Sequence, residues 1–282
     1  MARERRLFCE RSAAAYWLSV KKCRWIRRFR NLADHSVLAR EKQEALLPER
    51  LYTHASLIRR QLGEVDMRLQ ENKAANLALA APRVNHVLIR PGEEFSFWHL
   101  VGPCSAHRGY REGLTISSGK VTAGVGGGLC QFTNLIHWMV LHTPLQVTER
   151  HHHDALDLFP DYGRQVPFGT GTSIFYNYLD YRFYNPTDLT FQLITYVDEP
   201  YLRGEIRASG RPDVAYHIRT EGECFTREGE TVYRNGRVYR DCVDRRTGNR
   251  LWRECIQENH ARVLYDTAGL PVREAEQPAG KG

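Results

Sequence analysis

The sequence predicts an α+β protein, with N-terminal helices, a cysteine-headed helix packed on a mainly antiparallel sheet, and a β-hairpin extension toward the C-terminus. Three observations carry this. Apolar residues recur at helical spacing over 64–81 and again over 132–140. Beyond residue 145 the chain is rich in Tyr, Phe, Ile and Val, which favour strands. The last part of the chain alternates β-forming runs with Asn-Gly and Gly-Asn dipeptides, which are turn signals. The chain then divides into a basic helical region (1–47), a central domain (48–202), a hairpin extension (203–273) and a polar tail (274–282).

In order, residues 31–62 read as helical around Leu38, Ala45 and Leu46, with Pro48 breaking the run. A clearer helix covers 64–81, where Val65, Leu69, Ala75 and Leu79 share a face and Pro82 marks the stop. A short apolar stretch at 84–89 leads to a Pro91-Gly92 turn. Residues 93–128 read as loops closed by Gly126-Gly127-Gly128. Cys130 then heads an amphipathic helix that buries Phe132, Leu135, Ile136, Met139 and Val140 and stops at Thr143-Pro144. Strands are expected over 173–183, 191–197 and 204–208. Asn235-Gly236 lies between near-palindromic halves and predicts a hairpin turn. A second turn at Gly248-Asn249 would set Cys242 opposite Cys255.

The 282 residues carry 40 Lys+Arg against 33 Asp+Glu. Residues 1–30 hold ten cations (Arg3, Arg5, Arg6, Arg11, Lys21, Lys22, Arg24, Arg27, Arg28, Arg30) and two acids (Glu4, Glu10), a net +8 that leaves −1 for the rest. A near-neutral body argues against a nucleic-acid groove. The cationic segment also contains Trp17, Leu18, Trp25, Ile26 and Phe29, a composition that suits an anionic membrane surface. Its longest apolar run, 13–20, is followed at once by Lys21 and Lys22, which is the wrong flank for an export signal. No run of eighteen apolar residues occurs. The expected location is the cytoplasm or the inner membrane surface. Seven cysteines, an odd number without C-x-x-C spacing, are expected as free thiols, and no cofactor is expected.

The chemistry-bearing residues centre on Cys130. A cysteine at a helix N-terminus feels the positive end of the dipole and the unpaired N–H groups, which favour the thiolate. Gly126, Gly127 and Gly128 let a ligand approach, and the N–H groups of Cys130 and Gln131 are placed to hold an oxyanion. Candidate bases are His153 and His151, with Asp180 or Asp154 as the orienting carboxylate. An alternative set, Cys130 with His151 and His153, has zinc-ligand chemistry, although no local metal motif supports it. Phe95, Phe97 and Trp98 offer an aromatic platform for substrate, or else pack in the core. The glycine stretch lacks the Gly-Lys-Ser/Thr of a Walker A loop and no strand precedes it as in a dinucleotide fingerprint, so nucleotide binding is not expected.

Several segments together resemble the VanW-like family. They are Gln70-Glu71-Asn72-Lys73 with Asn76-Leu77, the run Ile89-Arg90-Pro91-Gly92-Glu93-Glu94-Phe95-Ser96-Phe97-Trp98, and Gly113-Leu114-Thr115 with Gly119-Lys120. Gly126-Gly127-Gly128-Leu129-Cys130-Gln131, Leu141-His142-Thr143-Pro144-Leu145 and residues 180–185 complete the set. The resemblance spans 63–202 and implies association with glycopeptide resistance and the bacterial cell envelope. It implies no reaction. Combined with the residue chemistry, it leads to two expectations: a cysteine-dependent hydrolase or acyl transferase acting on a cell-wall peptide or precursor, or a non-catalytic binding module that uses the glycine-rich loop.

Overall fold

The computed structural model describes residues 8–60, 66–117, 120–152, 155–161, 163 and 165–274. Along the chain lie α1 (Ala13–Ala33), β1 (Val37–Leu38), β2 (Glu49–Leu57), α2 (Met67–Val84), β3 (Val87–Ile89), β4 (Glu93–Ser96) and α3 (Phe97–Val101). Then come β5 (Glu112–Ser117), β6 (Lys120–Val125), α4 (Cys130–Val140), β7 (Gln146–Glu149), β8 (Leu156–Asp157) and β9 (Arg182–Tyr184). The chain closes with β10 (Phe191–Val197), β11 (Tyr201–Ala208), β12 (Val214–Glu228), β13 (Thr231–Asp244), β14 (Arg250–Val263) and β15 (Val272–Glu274). The pairings are mostly antiparallel, and with the helices this is an α+β fold.

The two longest helices begin on side-chain caps, whereas α4 follows Leu129 without one. Ser12 Oγ accepts from the Ala15 N–H at the start of α1, and Asp66 Oδ1 accepts from the Arg68 N–H at the start of α2. α2 runs two residues past Pro82, which sits in its last turn. α2 and α4 pack against the sheet ordered β2-β11-β10-β3. A second sheet, β1-β4-β9-β7, lies alongside. Leu77, Ile89, Phe95, Phe97, Phe132, Ile136, Phe183 and Phe191 fill one core between these layers. The Phe95 and Phe183 rings stack at 4.6 Å, and Phe97 meets Phe132 edge-on at 5.5 Å. Phe95 and Phe97 are fully buried, so the expected substrate contact through these two rings is corrected to core packing.

The helix expected over 31–62 is not formed. α1 ends at Ala33, and residues 49–57 form strand β2 along β11. Leu51, Tyr52 and Thr53 are ordinary strand formers, and a partner strand about 150 residues away decides their state. Residues 93–128, expected as loops, contain β4, α3 and the β5–β6 hairpin. Of the stretch 173–183, little is strand: Phe175 bridges Leu179, and β9 begins only at Arg182. β7 stops at Glu149, so His151 does not lie on a strand.

The third sheet, β15-β12-β13-β14-β8, is built on three long strands. Asn235-Gly236 is not its turn but the middle of β13, paired with β12 on one side and β14 on the other. The turn falls at Gly229-Glu230, where Gly229 has φ +62°. Gly236 lies beside a register shift in β12, and a Cβ there would come within 3.0 Å of the Glu223 side chain. The β13–β14 turn does lie near Gly248, but Cys242 pairs with Trp252 and Cys255 with Tyr239, so the two cysteines are not opposite. The loop is longer than two residues and both strands contain register shifts. Arg240 Nε donates to the Leu141 carbonyl at 2.9 Å, fastening this sheet to the end of α4.

Candidate functional site

Cys130 occupies the first turn of α4, as its sequence context predicts. The three glycines before it are closely packed. The Asn76 side chain donates to the carbonyls of Arg111 and Gly127, both at 3.0 Å, and accepts from the Arg111 N–H at 2.8 Å. A Cβ on Gly127 would overlap the carbonyl of Gly113, and one on Gly128 would overlap the Lys73 stem. The loop is therefore glycine-rich so that α2, β5 and α4 can touch. Burial lowers the Lys73 pKa to about 8, with Arg60 and Arg59 acting in the same direction. The Gln131 side chain is tied to β2, its Nε2 donating to the Ser56 hydroxyl and the Leu57 carbonyl, both at 2.8 Å, while its backbone N–H, expected at an oxyanion, donates to the Gly128 carbonyl at 3.1 Å.

The residue Cys130 is half-buried, but its thiol is desolvated and burial pushes the thiol up. The N–H groups of Ile174 and of Cys130 itself act against that shift without cancelling it. A helix start alone does not make a thiolate when the sulfur loses its water. His151 turns to Glu149, with Nε2 3.0 Å from Oε1. Asp180 is spent elsewhere: it accepts from the Ser96 hydroxyl at 2.6 Å, the Trp98 N–H at 3.1 Å and Arg182 Nε at 3.0 Å. Among the described residues no hydrogen bond joins Cys130 to His151 or Asp180. His153 and Asp154, the other expected base and orienter, lie outside the described residues. Among the described residues no three His, Cys, Asp or Glu side chains converge as a metal set.

Two further residues share the Cys130 face of α4 at spacings of four and seven, Asn134 and His137. Asn134 Oδ1 accepts from the Thr172 N–H at 2.6 Å and from its hydroxyl at 2.9 Å. A Cβ on Gly171 would lie 3.0 Å from the His152 ring and 3.8 Å from Asn134 Oδ1, so His152 comes near Asn134 across Gly171. His137 Nδ1 pairs with the Tyr181 hydroxyl at 3.1 Å, and burial holds His137 well below the ordinary histidine range, hence neutral. The same burial raises Tyr181. Helical periodicity from Cys130 was the signal that could have found Asn134 and His137.

An open cavity of about 250 Å³ lies between α1, α3 and the segment 176–182. Trp98, Tyr176 and Tyr178 supply its aromatic walls, and Asp180, Arg182 and Arg27 its charges. Trp98 is fixed by its indole N–H, which donates to the Leu179 carbonyl at 2.8 Å, and by Tyr176, edge-on at 5.4 Å. Beneath it runs an ion network. Arg182, almost wholly buried, meets Asp180, Glu94 at 3.2 Å and Asp34 at 2.9 Å. Arg27 of α1 meets Glu149 at 2.7 Å, and Arg182 Nη2 donates to Asn31 Oδ1 at 2.9 Å. Burial works to raise Glu149, but the Asp180 N–H, Arg27 and His151 outweigh it and hold the carboxyl low. Sequence reasoning named Trp98 as a substrate contact and Asp180 as the orienter of a histidine; it did not name Glu149, Arg182 or the α1 contribution, which come together only in the fold.

The matched family model is described as "VanW like protein" and covers residues 72–207, which hold most of α2, all of α4, most of the two core sheets and the Cys130 loop. The chain belongs to the VanW-like family, which is associated with vancomycin resistance. It is 34% identical over 236 residues to the vancomycin B-type resistance protein VanW of Enterococcus faecalis, covering 83% of this chain and 85% of that one. It is also 29% identical over 118 residues to the uncharacterized protein YoaR of Bacillus subtilis, covering 41% of this chain and 36% of that one. No solved structure matches.

Proposed function

We propose that this chain serves glycopeptide resistance as a binding protein for a cell-wall peptide or its precursor, held in the cavity beside Trp98. The observation that carries this is the cavity itself, where three aromatic rings stand over fixed Asp180 and Arg182. Aromatic faces take the apolar or sugar surfaces of a ligand, while a few placed polar groups set its orientation. The glycine loop, occupied by packing, is not the contact surface in this reading. Isothermal titration with a synthetic stem peptide or muropeptide tests it. Saturable binding is expected, lost in Trp98→Ala and weakened in Tyr178→Ala, whose ring is partly exposed, while Cys130→Ser binds like the unaltered chain. Absence of saturable binding, or binding indifferent to both aromatic variants, overturns the proposal.

A second reading keeps Cys130 as the nucleophile of a hydrolase or acyl transferase. Its support is the cysteine in the first turn of α4, with Asn134 and His137 following on the same face. Iodoacetamide labelling of Cys130 across pH separates the two. The binding reading expects labelling to rise only above the free-thiol value of about 8.5. Rapid labelling near neutral pH transfers the weight to thiol chemistry.

A further inference from the structure

We infer that the outward face of α1 docks on an anionic lipid bilayer. Winding α1 into a helix sorts its residues. Arg27 and Asn31 turn inward to Glu149 and Arg182. These inward bonds fix the rotation of the helix. The opposite side then presents Leu18, Trp25, Phe29 and Leu32 in one stripe, exposed by 51%, 58%, 63% and 72%. Lys21 and Arg28 border the stripe on one side and Lys22 on the other. α1 contains no Asp or Glu, and among the described residues Lys21, Lys22, Arg28 and Arg30 have no carboxylate partner. Trp25 and Phe29 sit together with ring centres 6.0 Å apart, and Lys21 Nζ stands 5.2 Å from the Trp17 ring.

An ordinary solvated face does not hold four large apolar side chains in line. A face that meets another protein core does not usually frame them with uncompensated cations. The combination fits the boundary between acyl chains and anionic headgroups, where rings insert and lysines meet phosphate. No helix among the described residues is long and apolar enough to span a bilayer, so α1 lies along the surface. The inference is independent of the cavity ligand.

The full chain is sedimented with vesicles of phosphatidylcholine containing phosphatidylglycerol, against pure phosphatidylcholine, at low and high salt. Binding is expected to the anionic vesicles alone, and high salt should release it. Lys21→Glu with Lys22→Glu removes two contacts and should weaken binding by roughly thirtyfold or more. Trp25→Ser with Phe29→Ser should abolish it and leave thermal unfolding unchanged, since neither ring is packed on the body. The salt arm needs no variant. Equal or absent sedimentation with both vesicle types overturns the inference. So does a concentration-dependent dimer that Trp25→Ser dissolves, because a second copy then covers the face.

Discussion

Arg182→Leu is the most informative single change. The guanidinium is buried and bridges Asp180, Glu94 and Asp34, and it donates to Asn31. Leucine keeps much of the aliphatic volume but leaves Asp180 and Glu94, both almost fully buried, without the guanidinium they share, and Arg27 still reaches Asp180 at 3.5 Å. Removing one partner of a buried ion cluster costs roughly 3–5 kcal/mol, because the other charges stay behind desolvated. For a chain of this size that is a fall in Tm of about 6–20 °C. The assay is urea unfolding of both proteins at several pH values. Glu149 and Asp34 are held below the ordinary carboxylate range in the folded chain, so their contribution is full above about pH 4.5 and is lost as the pH falls. Arg182 is one of the groups that hold Asp34 low, so without it the Asp34 carboxyl takes up its proton at higher pH and the gap between the two proteins should shrink on going from pH 7 toward pH 4. A loss below about 1 kcal/mol, within the range of exposed pairs, refutes the reasoning, as does a gap that does not change with pH.

Two other outcomes follow from the geometry. Gly127→Ala should destabilise by roughly 1–3 kcal/mol, since its Cβ overlaps the Gly113 carbonyl, while Gly269→Ala, with open space around it, should be near neutral by the same unfolding measurement. Burial lowers His142 to about 4 even though the Trp138 carbonyl bond opposes it, so its own contribution to stability is full above pH 6.5 and is lost by about 1.4 kcal/mol per unit between there and about pH 4; His142→Gln should lessen the acid-side slope by that amount in unfolding titrations, with the His137 part remaining.

The local signals were the legible ones. Cys130 heads its helix, α2 forms near the expected boundaries, and Phe191–Val197 is the strand its composition suggests. Asn235-Gly236 misled because a dipeptide that suits a tight turn also suits a strand centre when a neighbouring strand bulges toward it. Residues 49–57 misled because their pairing partner is remote. The thiol of Cys130 was expected to ionise easily from its helix position, but the desolvation that raises it comes from packing that no spacing rule encodes. The network under Trp98 was illegible for the same reason: Arg27, Glu149 and Arg182 come from three distant parts of the chain.

That distance has a consequence during synthesis. Arg27 is 153 residues upstream of Asp180. At the usual ribosomal pace of about 5–20 residues per second, the helix waits roughly 8–30 s before its carboxylate partner emerges. For that interval both faces are open, the inward arginines as much as the outward rings. A nascent chain beside a membrane therefore has time to lay this helix down first and assemble the remainder around it, so the order of events, and not only the final geometry, can fix where the protein works.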